Sequence, residues 1–194
     1  PAQVSYLAHG TTVATNALIE KKGAKMGLIT TEGFKDLMEI GWQRRPSLYD
    51  LRRPKAESLI PRGMKQEVRE RILHDGSVLT PLDEDSVRNA VCLLKEMGAQ
   101  TIAVCTLFSF LNPVHEDRIK DIIQEEFPGA YVSASHDLVS EFREYSRMST
   151  TMLNAYLGPV MKEYVHNFER SVRETGIQVA PYVNQSNGSI ISIA

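Results

Sequence analysis

The amino-acid sequence predicts an α/β protein, and three observations support this fold class. Short apolar runs typical of buried strands alternate with amphipathic segments typical of helices. Between residues 82 and 132 the order is helix, strand, helix, strand, which is the rhythm of βαβ units. Hydrophobic residues make up 42% of the 194 residues, enough for a buried core. We therefore expect one domain, or one piece of a larger one.

Strands are expected where apolar residues run without interruption, and Thr101–Cys105 is the clearest of these runs. Further strands are expected at residues 3–7, 26–30, 130–133, 178–183 and 190–194. The segment 65–72 alternates charged and apolar residues less cleanly and precedes the turn signal His74-Asp75-Gly76. It therefore predicts a hairpin rather than a crossover.

Three helices are predicted from apolar residues that recur every three or four positions. The first covers residues 87–97. The second begins at Asn112-Pro113, which supplies an N-cap residue and a proline for the first helical position, and its apolar face covers 119–127. The third covers 161–172. The expected stops are Gly98, Pro128-Gly129 and Gly176.

Composition argues against several classes of partner. The chain has 22 Lys and Arg against 24 Asp and Glu, and phosphate neutralisation needs a basic surplus, so we expect no nucleic acid. No apolar run approaches the roughly 18 residues of a membrane span, so we expect no membrane. Cys92 and Cys105 are too few for a disulfide framework or a Cys-based zinc site. We expect both thiols to be small core residues of a cytoplasmic protein.

The most distinctive segment is 9–18 (HGTTVATNAL), which follows a strand and opens a helix. Gly10 permits a tight turn, Thr11 or Thr12 can cap the helix, and the free N–H groups of the first turn suit an anion or a polarised carbonyl. The other polar side chains here are His9, Thr15 and Asn16. The segment is therefore a candidate binding element, with ordinary capping and a polar helix face as the alternative.

A second candidate is the segment 141–156, which has two stripes if it is helical. The apolar stripe is Tyr145, Met148, Met152 and Tyr156. The polar stripe is Arg143, Arg147, Thr150 or Thr151, and Asn154. Arg, Thr and Asn suit fixed hydrogen bonds, whereas Lys and Glu are usual on solvated faces. The polar stripe therefore lines a cleft or an interface, or else is solvated with a Glu144–Arg147 pair.

Other segments predict turns and loops. Residues 44–63 contain three prolines and five arginines, so we expect a charged surface loop, or a loop that closes over an anionic ligand or a partner chain. Asn187-Gly188 is a strong hairpin turn. No pair of histidines has metal-ligand spacing. His115 is expected to be structural, and His136 to have a role in a turn, with a position facing a cleft as the alternative.

All 12 glycines are isolated, without Gly-Gly, G-x-G or G-x-x-x-x-G-K. Nucleotide-binding domains bring backbone N–H groups against phosphates with clustered glycines. We therefore expect these residues alone to bind ATP weakly or not at all.

Several motifs together resemble the hydantoinase A/oxoprolinase family. They are HGTTVATNAL at 9–18, GLITTEGFKD at 27–36, NPVHE at 112–116, REYSRMSTTMLNAY at 143–156 and QSNG at 185–188. They occur in order over almost the whole chain. The resemblance implies part of an actin/hexokinase-like (ribonuclease H-like) nucleotide-binding fold. Asn187-Gly188-Ser189 departs from the paired glycines common in the family.

The resemblance also implies an ATP-dependent hydrolase of the N-methylhydantoinase or 5-oxoprolinase type. In such enzymes ATP and Mg²⁺ serve to phosphorylate the carbonyl or amide oxygen of a cyclic amide, and a B-type subunit often completes the reaction. An acetone or acetophenone carboxylase-type subunit is one alternative. The others are a non-catalytic scaffold or docking domain of a larger assembly, and an unrelated α/β binder of small molecules.

The family's proteins carry a D-x-G-G-T phosphate loop and a second glycine-rich loop, which this sequence lacks. The chain also begins and ends in strand-like runs. We therefore expect residues 1–194 to be a single fragment of the family's N-terminal region, with no catalytic activity or bound cofactor by itself.

We hypothesise from position and chemistry that the turn 9–16 and the stripe 143–154 line an interdomain cleft. The groups expected to orient the polar edge of the substrate are those of Thr11, Thr12, Thr15 and Asn16. Arg143 or Arg147 is expected to steady a phosphorylated intermediate.

Overall fold

The computed structural model describes residues 4–43, 47, 49–50, 52–53, 58–185 and 188–192. The strands in these ranges are β1 Ala8–His9, β2 Met26–Thr31, β3 Lys65–Val68, β4 Arg71–Ile72, β5 Val78–Thr80, β6 Thr101–Cys105, β7 Tyr131–Ala134, β8 Tyr182–Asn184 and β9 Ile190–Ser192. The helices are α1 Val13–Ile19, α2 Leu37–Ile40, α3 Glu84–Glu96, α4 Val114–Glu126, α5 Ser135–Leu138 and α6 Glu144–Glu174, with a 3₁₀ turn at Arg62–Met64. Most of the expected loop at 44–63 lies outside the described residues.

The chain forms two compact units, and each has its own sheet. Unit 1 comprises residues 1–23 and 157–194, and unit 2 comprises residues 24–156. Helix α6 runs through the division, so its first part belongs to unit 2 and the remainder to unit 1.

Unit 2 is built on a sheet of four parallel strands in the order β3-β2-β6-β7. Every residue of β2 and of β6 is buried, as expected for central strands of a covered parallel sheet. The register places Met26 beside Thr101 and Thr30 beside Cys105. Because the strands are parallel, their carboxyl ends lie along one edge of the sheet.

Helices α3 and α4 pack on each other, α3 also packs on β3, and α4 packs on β6 and β7. The apolar periodicity of the sequence is confirmed by the side chains these helices bury, which include Val87, Ala90, Val91, Leu94, Ile119, Ile122 and Ile123. Asp83 caps α3 by accepting a hydrogen bond from the N–H of Ser86. The expected stop at Gly98 is confirmed by its φ of 76°.

The hairpin expected at 65–72 is formed differently. Residues 65–68 are strand β3, which pairs in parallel with β2 at the edge of the main sheet. The hairpin lies between β4 and β5, and Gly76 in its turn has a φ of 82°. The charged residues of β3 made its strand pattern weak in the sequence. An edge strand tolerates such residues because one of its sides has no neighbouring strand.

Two expectations about helix ends and one about a cysteine are corrected. Helix α4 begins at Val114, and Pro113 is its N-cap rather than its first residue. The side chain of Asn112 accepts a hydrogen bond from the N–H of Val114 at 3.2 Å. The helices expected at 141–156 and 161–172 are parts of α6, which continues through Pro159. Cys92 is exposed on α3, whereas Cys105 is buried as expected.

Unit 1 contains the sheet β1-β8-β9, in which β1 and β8 are parallel and β8 and β9 are antiparallel. The strand expected at 3–7 is wrong, because the described residues 4–7 precede β1, and the strand expected at 178–183 begins only at Tyr182. Tyr6 precedes β1, and its ring stacks on that of Tyr182 at 5.3 Å. Strand β8 begins directly after Pro181, which has no N–H to donate to a neighbouring strand.

The connection between β8 and β9 is the expected hairpin. Gly188 has a φ of 84°, and its N–H donates to the carbonyl of Gln185 at 3.0 Å. Asn187, the first residue of the expected turn dipeptide, lies outside the described residues. The antiparallel pairing of Asn184 with Ile190 shows that the chain reverses here.

The contact between β2 and α3 gives a test of the packing in unit 2. A Cβ atom at Gly27 would lie 2.7 Å from both Cδ atoms of Leu94. We expect Gly27→Ala to lower the free energy of unfolding by about 1–3 kcal/mol, because added volume in a close-packed core forces side chains out of their rotamers. Urea-induced unfolding followed by circular dichroism measures this loss.

Gly129→Ala is the matched control, because no atom lies within 4 Å of a Cβ built there. Gly129→Ala should change the free energy of unfolding by no more than about 0.5 kcal/mol. Combining Gly27→Ala with Leu94→Ala should cost less than the sum of the two single changes. A Gly27→Ala variant as stable as the parent would contradict the close approach of strand and helix.

Candidate functional site

Buried polar side chains gather at the carboxyl edge of the unit 2 sheet. This edge is where open α/β sheets usually bind their ligands. The buried polar residues that follow or flank the strand ends are Thr31, Glu70, Thr106, His115, Glu116, Ser135 and Arg147. Burial of so many polar groups is tolerable only when they bond to one another. We call this set the carboxyl-edge network.

Glu116 is the main acceptor of the carboxyl-edge network. Its carboxylate is fully buried in the first turn of α4. One oxygen accepts the N–H of Thr106 at 2.8 Å and the hydroxyl of Ser135 at 2.7 Å. The other lies 3.0 Å from the backbone nitrogen and 2.7 Å from Nδ1 of His136. A single carboxylate thus ties the segment after β6 to the segment after β7.

The charges of Glu116 and His136 support each other. Burial opposes ionisation of Glu116, but hydrogen bonds from His136, Thr106 and Ser135 outweigh it and hold the pKa of this carboxyl below its ordinary value. The hydrogen bond to Glu116 raises the pKa of His136. Nε2 of His136 also lies 3.1 Å from a carboxylate oxygen of Asp117 and of Asp137. An imidazolium is therefore favoured between three carboxylates.

Arg147 is fully buried at the start of α6, and each of its three guanidinium nitrogens donates a hydrogen bond to another group of the protein. Its Nε donates to the hydroxyl of Ser135 at 3.1 Å, and its two terminal nitrogens donate to the carbonyls of Glu141 at 3.1 Å and Thr106 at 2.5 Å. Ser135 therefore bonds both Glu116 and Arg147 through its hydroxyl, whereas Thr106 bonds Glu116 with its N–H and Arg147 with its carbonyl. The alternative of a solvated face with a Glu144–Arg147 pair is wrong.

A second buried pair joins the other strand ends. Nδ1 of His115 lies 2.6 Å from the Glu70 carboxylate, whose other oxygen accepts the Thr31 hydroxyl. The same hydroxyl oxygen accepts the N–H of Leu107 at 3.0 Å. The pair thus links the last residue of β2 to residues that follow β3 and β6.

The stripe after Arg147 packs on strand β7. Nδ2 of Asn154 donates to the hydroxyls of Ser133 at 3.0 Å and Tyr131 at 3.3 Å. Thr151 is buried, and Thr150 is exposed. The apolar stripe is confirmed by three of its side chains, which are buried: Met148, Met152 and Tyr156.

Arg143 is not part of the helical stripe, which corrects an expectation. It precedes α6 and has a φ of 77°, a conformation outside any helix. Its guanidinium lies over the rings of Phe142 and Trp42, with 5.3 Å and 5.8 Å to the ring centroids. The side chain is exposed.

The turn at residues 9–16 lies in unit 1, and its geometry is simple. The side chain of Thr11 accepts the N–H of Val13 at 3.2 Å, so Thr11 acts as the cap although Thr12 is the N-cap residue. The Thr12 hydroxyl accepts from Nδ2 of Asn16 at 3.4 Å. Thr12, Thr15 and Asn16 are exposed. Three polar side chains of this turn are therefore accessible.

His9 is held more firmly than the exposed polar groups of the turn. Its Nε2 is hydrogen-bonded to the hydroxyl of Tyr164. Its ring stacks on that of Phe168 at 4.5 Å between centroids. That His9–Asn16 and Arg143–Asn154 line one cleft stays a prediction.

Sequence reasoning missed Glu116, Glu70 and the bonded role of His136. A signal for Glu116 exists in the helical spacing. His115 and Glu116 fall on the same stripe as the buried isoleucines of α4. A polar residue on an apolar stripe indicates a buried hydrogen-bonding partner.

Other chemistries find little support in this structure. Among the described residues, no group of three His, Cys, Asp or Glu could hold a metal ion. Burial, with a contribution from Glu116, raises the pKa of the Cys105 thiol to about 12, so this cysteine is not a thiolate nucleophile. Across the part of the chain that the structure describes, no helix is long and apolar enough to cross a membrane.

Comparison with known proteins gives a consistent result. Residues 1–127 match the family model of the hydantoinase/oxoprolinase N-terminal region, and residues 147–194 match that of hydantoinase/oxoprolinase. The chain is 39% identical to the caprolactamase subunit alpha of Pseudomonas jessenii, over 94% of this chain and 26% of that protein. It is 35% identical to the acetophenone carboxylase gamma subunit of Aromatoleum aromaticum, over 96% of this chain and 28% of that subunit.

Two solved structures share the architecture. The ATP-dependent caprolactamase from Pseudomonas jessenii has a TM-score of 0.92 at 38% identity, over 97% of this chain and 28% of that chain. The nucleotide-free acetone carboxylase has a TM-score of 0.88 at 28% identity, over 99% of this chain and 29% of that chain. These matches confirm the expected fold class, an α/β segment of an actin/hexokinase-like fold. The chain spans 26% and 28% of the length of the two curated relatives.

The network makes stability depend on pH in a defined way. His136 has a raised pKa, so the stability it adds is complete below its ordinary value of 6.5 and is lost as pH rises through the raised pKa. Glu116 has a lowered pKa, so the stability it adds is complete above its ordinary value of 4.5 and is lost on acidification. We expect Glu116→Gln to lower the free energy of unfolding by about 2–4 kcal/mol and to flatten its fall above about pH 6.5.

Urea unfolding between about pH 5.5 and 8.5 measures both effects. Asp121→Asn removes an exposed carboxylate from the same helix and is the control; it should change neither quantity. A Glu116→Gln variant that keeps the parent's pH dependence would show that His136 does not depend on this carboxylate.

Proposed function

This chain belongs to the hydantoinase/oxoprolinase family, and on that premise we propose that it is part of an ATP-dependent enzyme that hydrolyses a cyclic amide. The observation that carries the proposal is the similarity to caprolactamase, at 39% identity in sequence and a TM-score of 0.92 in structure. We further propose that a second, B-type subunit takes part, because the relatives include proteins named as subunits.

ATP and Mg²⁺ are proposed as cofactors of the whole enzyme and not of these residues. The described glycines are isolated along the chain and form no cradle for a triphosphate. We therefore propose no contact between ATP and the side chains of this chain.

The proposed contribution of the chain is to hold polar groups in fixed positions. The exposed hydroxyls of Thr12 and Thr15 and the amide of Asn16 present neutral donors and acceptors that suit the polar edge of an amide. Arg147 and Asn154 are proposed as positioning residues, because the former bonds the carboxyl-edge network and the latter bonds β7. Neither arginine is proposed to contact a phosphorylated intermediate. Arg147 is buried and bonded to the protein, and the Arg143 guanidinium lies over the rings of Trp42 and Phe142.

A carboxylase-type subunit is the second candidate. It is supported by the 35% identity to the acetophenone carboxylase gamma subunit and by the likeness to acetone carboxylase. Both reactions begin with a carbonyl compound. In amide hydrolysis water attacks the carbonyl carbon and the C–N bond breaks, whereas in ketone carboxylation the α-carbon loses a proton and forms the new bond to carbon dioxide.

ATP hydrolysis by the full-length protein with its partner subunit distinguishes these candidates. We expect hydantoin, 5-oxoproline or caprolactam to stimulate ATP hydrolysis and to be opened to the linear acid. The carboxylase candidate predicts stimulation by ketones together with bicarbonate. Stimulation by ketones alone among these compounds would overturn the amide hydrolase proposal.

Thr12→Ala tests the proposed substrate contact. Loss of one hydrogen bond to the reacting group should lower kcat/KM about 10- to 100-fold without changing the thermal unfolding midpoint. Ser171→Ala removes an exposed hydroxyl from α6 and should leave turnover unchanged. Unchanged turnover in Thr12→Ala would rule out the contact.

Arg147→Gln provides a contrast in the same assay. It removes a buried guanidinium with three protein acceptors, so we expect a large loss of folded protein. The KM of the folded fraction should not change. A stable Arg147→Gln variant with lost activity would instead place Arg147 in contact with the reacting groups.

A further inference from the structure

Unit 2 has an exposed surface that the proposed reaction does not use. It is formed by Trp42, which follows α2, by Phe142 and Arg143, which precede α6, and by Tyr145 in the first turn of α6. Ile40, the last residue of α2, lies two positions before Trp42. We call this exposed surface the aromatic–arginine surface. The rings of Trp42 and Tyr145 meet edge to face at 5.4 Å between centroids. The Arg143 guanidinium lies over the rings of Trp42 and Phe142.

The apolar side chains of this surface are open to solvent. Ile40 is 48% exposed, Trp42 is 51% exposed and Phe142 is 66% exposed. Trp, Tyr and Arg are the residue types that most often dominate binding at protein interfaces. Two exposed aromatic side chains beside one guanidinium are more than recognition of a small anion requires.

The backbone is shaped to present these side chains. Gly41, Gln43 and Arg143 all have positive φ, at 56°, 56° and 77°. For Gln43 and Arg143 this conformation is unfavourable, because a Cβ crowds the backbone. Gly41 packs close to Tyr145, since a Cβ built there would lie 3.6 Å from the ring. Residues with positive φ in both chain segments, the one after α2 and the one before α6, fix the position of Trp42 against Arg143.

The Arg143 guanidinium makes no ion pair within the described part of the chain. Among the residues that the structure describes, no carboxylate lies within salt-bridge distance of Arg143. The sequence that continues from Trp42, residues 42–53, holds four arginines and one aspartate in a chain of net charge −2. An exposed guanidinium flanked by aromatic rings, in a basic stretch of sequence, suits an anionic complement.

We propose that the aromatic–arginine surface docks an acidic segment of the partner subunit. A carboxylate of that segment pairs with Arg143, and its apolar side chains cover Trp42 and Phe142. This inference rests on the proposed function, which includes a second subunit. It goes further by naming where that subunit binds and what chemistry it presents.

Affinity between the full-length protein and its partner subunit tests the proposal. We expect Trp42→Ala and Arg143→Glu each to weaken binding about 30-fold or more, as for central interface residues. Raising the salt concentration should weaken binding of the parent more than binding of Arg143→Glu, because the variant has lost the ion pair. Isothermal titration calorimetry measures the affinities.

Matched controls separate a docking role from a folding role. Leu79→Ala removes an exposed apolar side chain of the same unit, and Arg170→Glu reverses an exposed charge; both should bind the partner within about twofold of the parent. Arg143→Gly relieves the backbone strain and removes the guanidinium. It should fold at least as stably as the parent and still bind weakly.

The outcomes distinguish the inference from the proposed function. Unchanged affinity in Trp42→Ala and Arg143→Glu overturns the docking surface and leaves the enzyme assignment intact. Full amide hydrolysis by the protein without a partner overturns the two-subunit enzyme and the docking surface together. Altered KM for ATP or amide in Arg143→Glu, with partner affinity unchanged, places a small-molecule site here and also overturns the proposal.

Discussion

The buried charge of Glu116 constrains the rest of unit 2. A carboxylate removed from water is stable only if its oxygens receive hydrogen bonds, and here the donors come from Thr106, Ser135 and His136. These donors follow two neighbouring strands, whereas the acceptor lies at the start of a helix. The relative positions of β6, β7 and α4 at this edge are thereby fixed by one group.

Arg147 balances this buried charge without touching it. The Ser135 hydroxyl donates to Glu116 and accepts from Arg147, and Thr106 offers its N–H to the former and its carbonyl to the latter. Opposite charges thus share two intermediaries, and each lowers the desolvation penalty of the other. Removing Glu116 leaves Arg147 buried without this carboxylate, whereas removing Arg147 leaves His136 as the cation beside Glu116.

Much of the fold was predictable because it follows from local periodicity. The central strands and the buried faces of α3 and α4 appeared where apolar spacing placed them. The pairing of strand β3 and the start of β8 were not predicted correctly, because neighbouring strands determine whether such short segments form strands. The motifs around the candidate residues also indicated the family, although they did not give the residues' contacts.

The partners within the candidate site could not be predicted for a similar reason. Glu116 bonds residues ten and twenty positions away, and its choice depends on which strands are neighbours. The positive φ of Arg143 likewise has no local signal, because arginine seldom adopts it. Contacts between Trp42, Tyr145 and the guanidinium hold it there instead.

The parallel sheet of unit 2 has one consequence for how such a module is used. In many α/β proteins the crevice at the carboxyl ends of the strands is left open for a guest molecule. Here the buried carboxylate of Glu116 and the buried guanidinium of Arg147 lie at that crevice, where other proteins of this class bind a ligand. The docking surface that we propose accordingly uses exposed side chains outside this crevice.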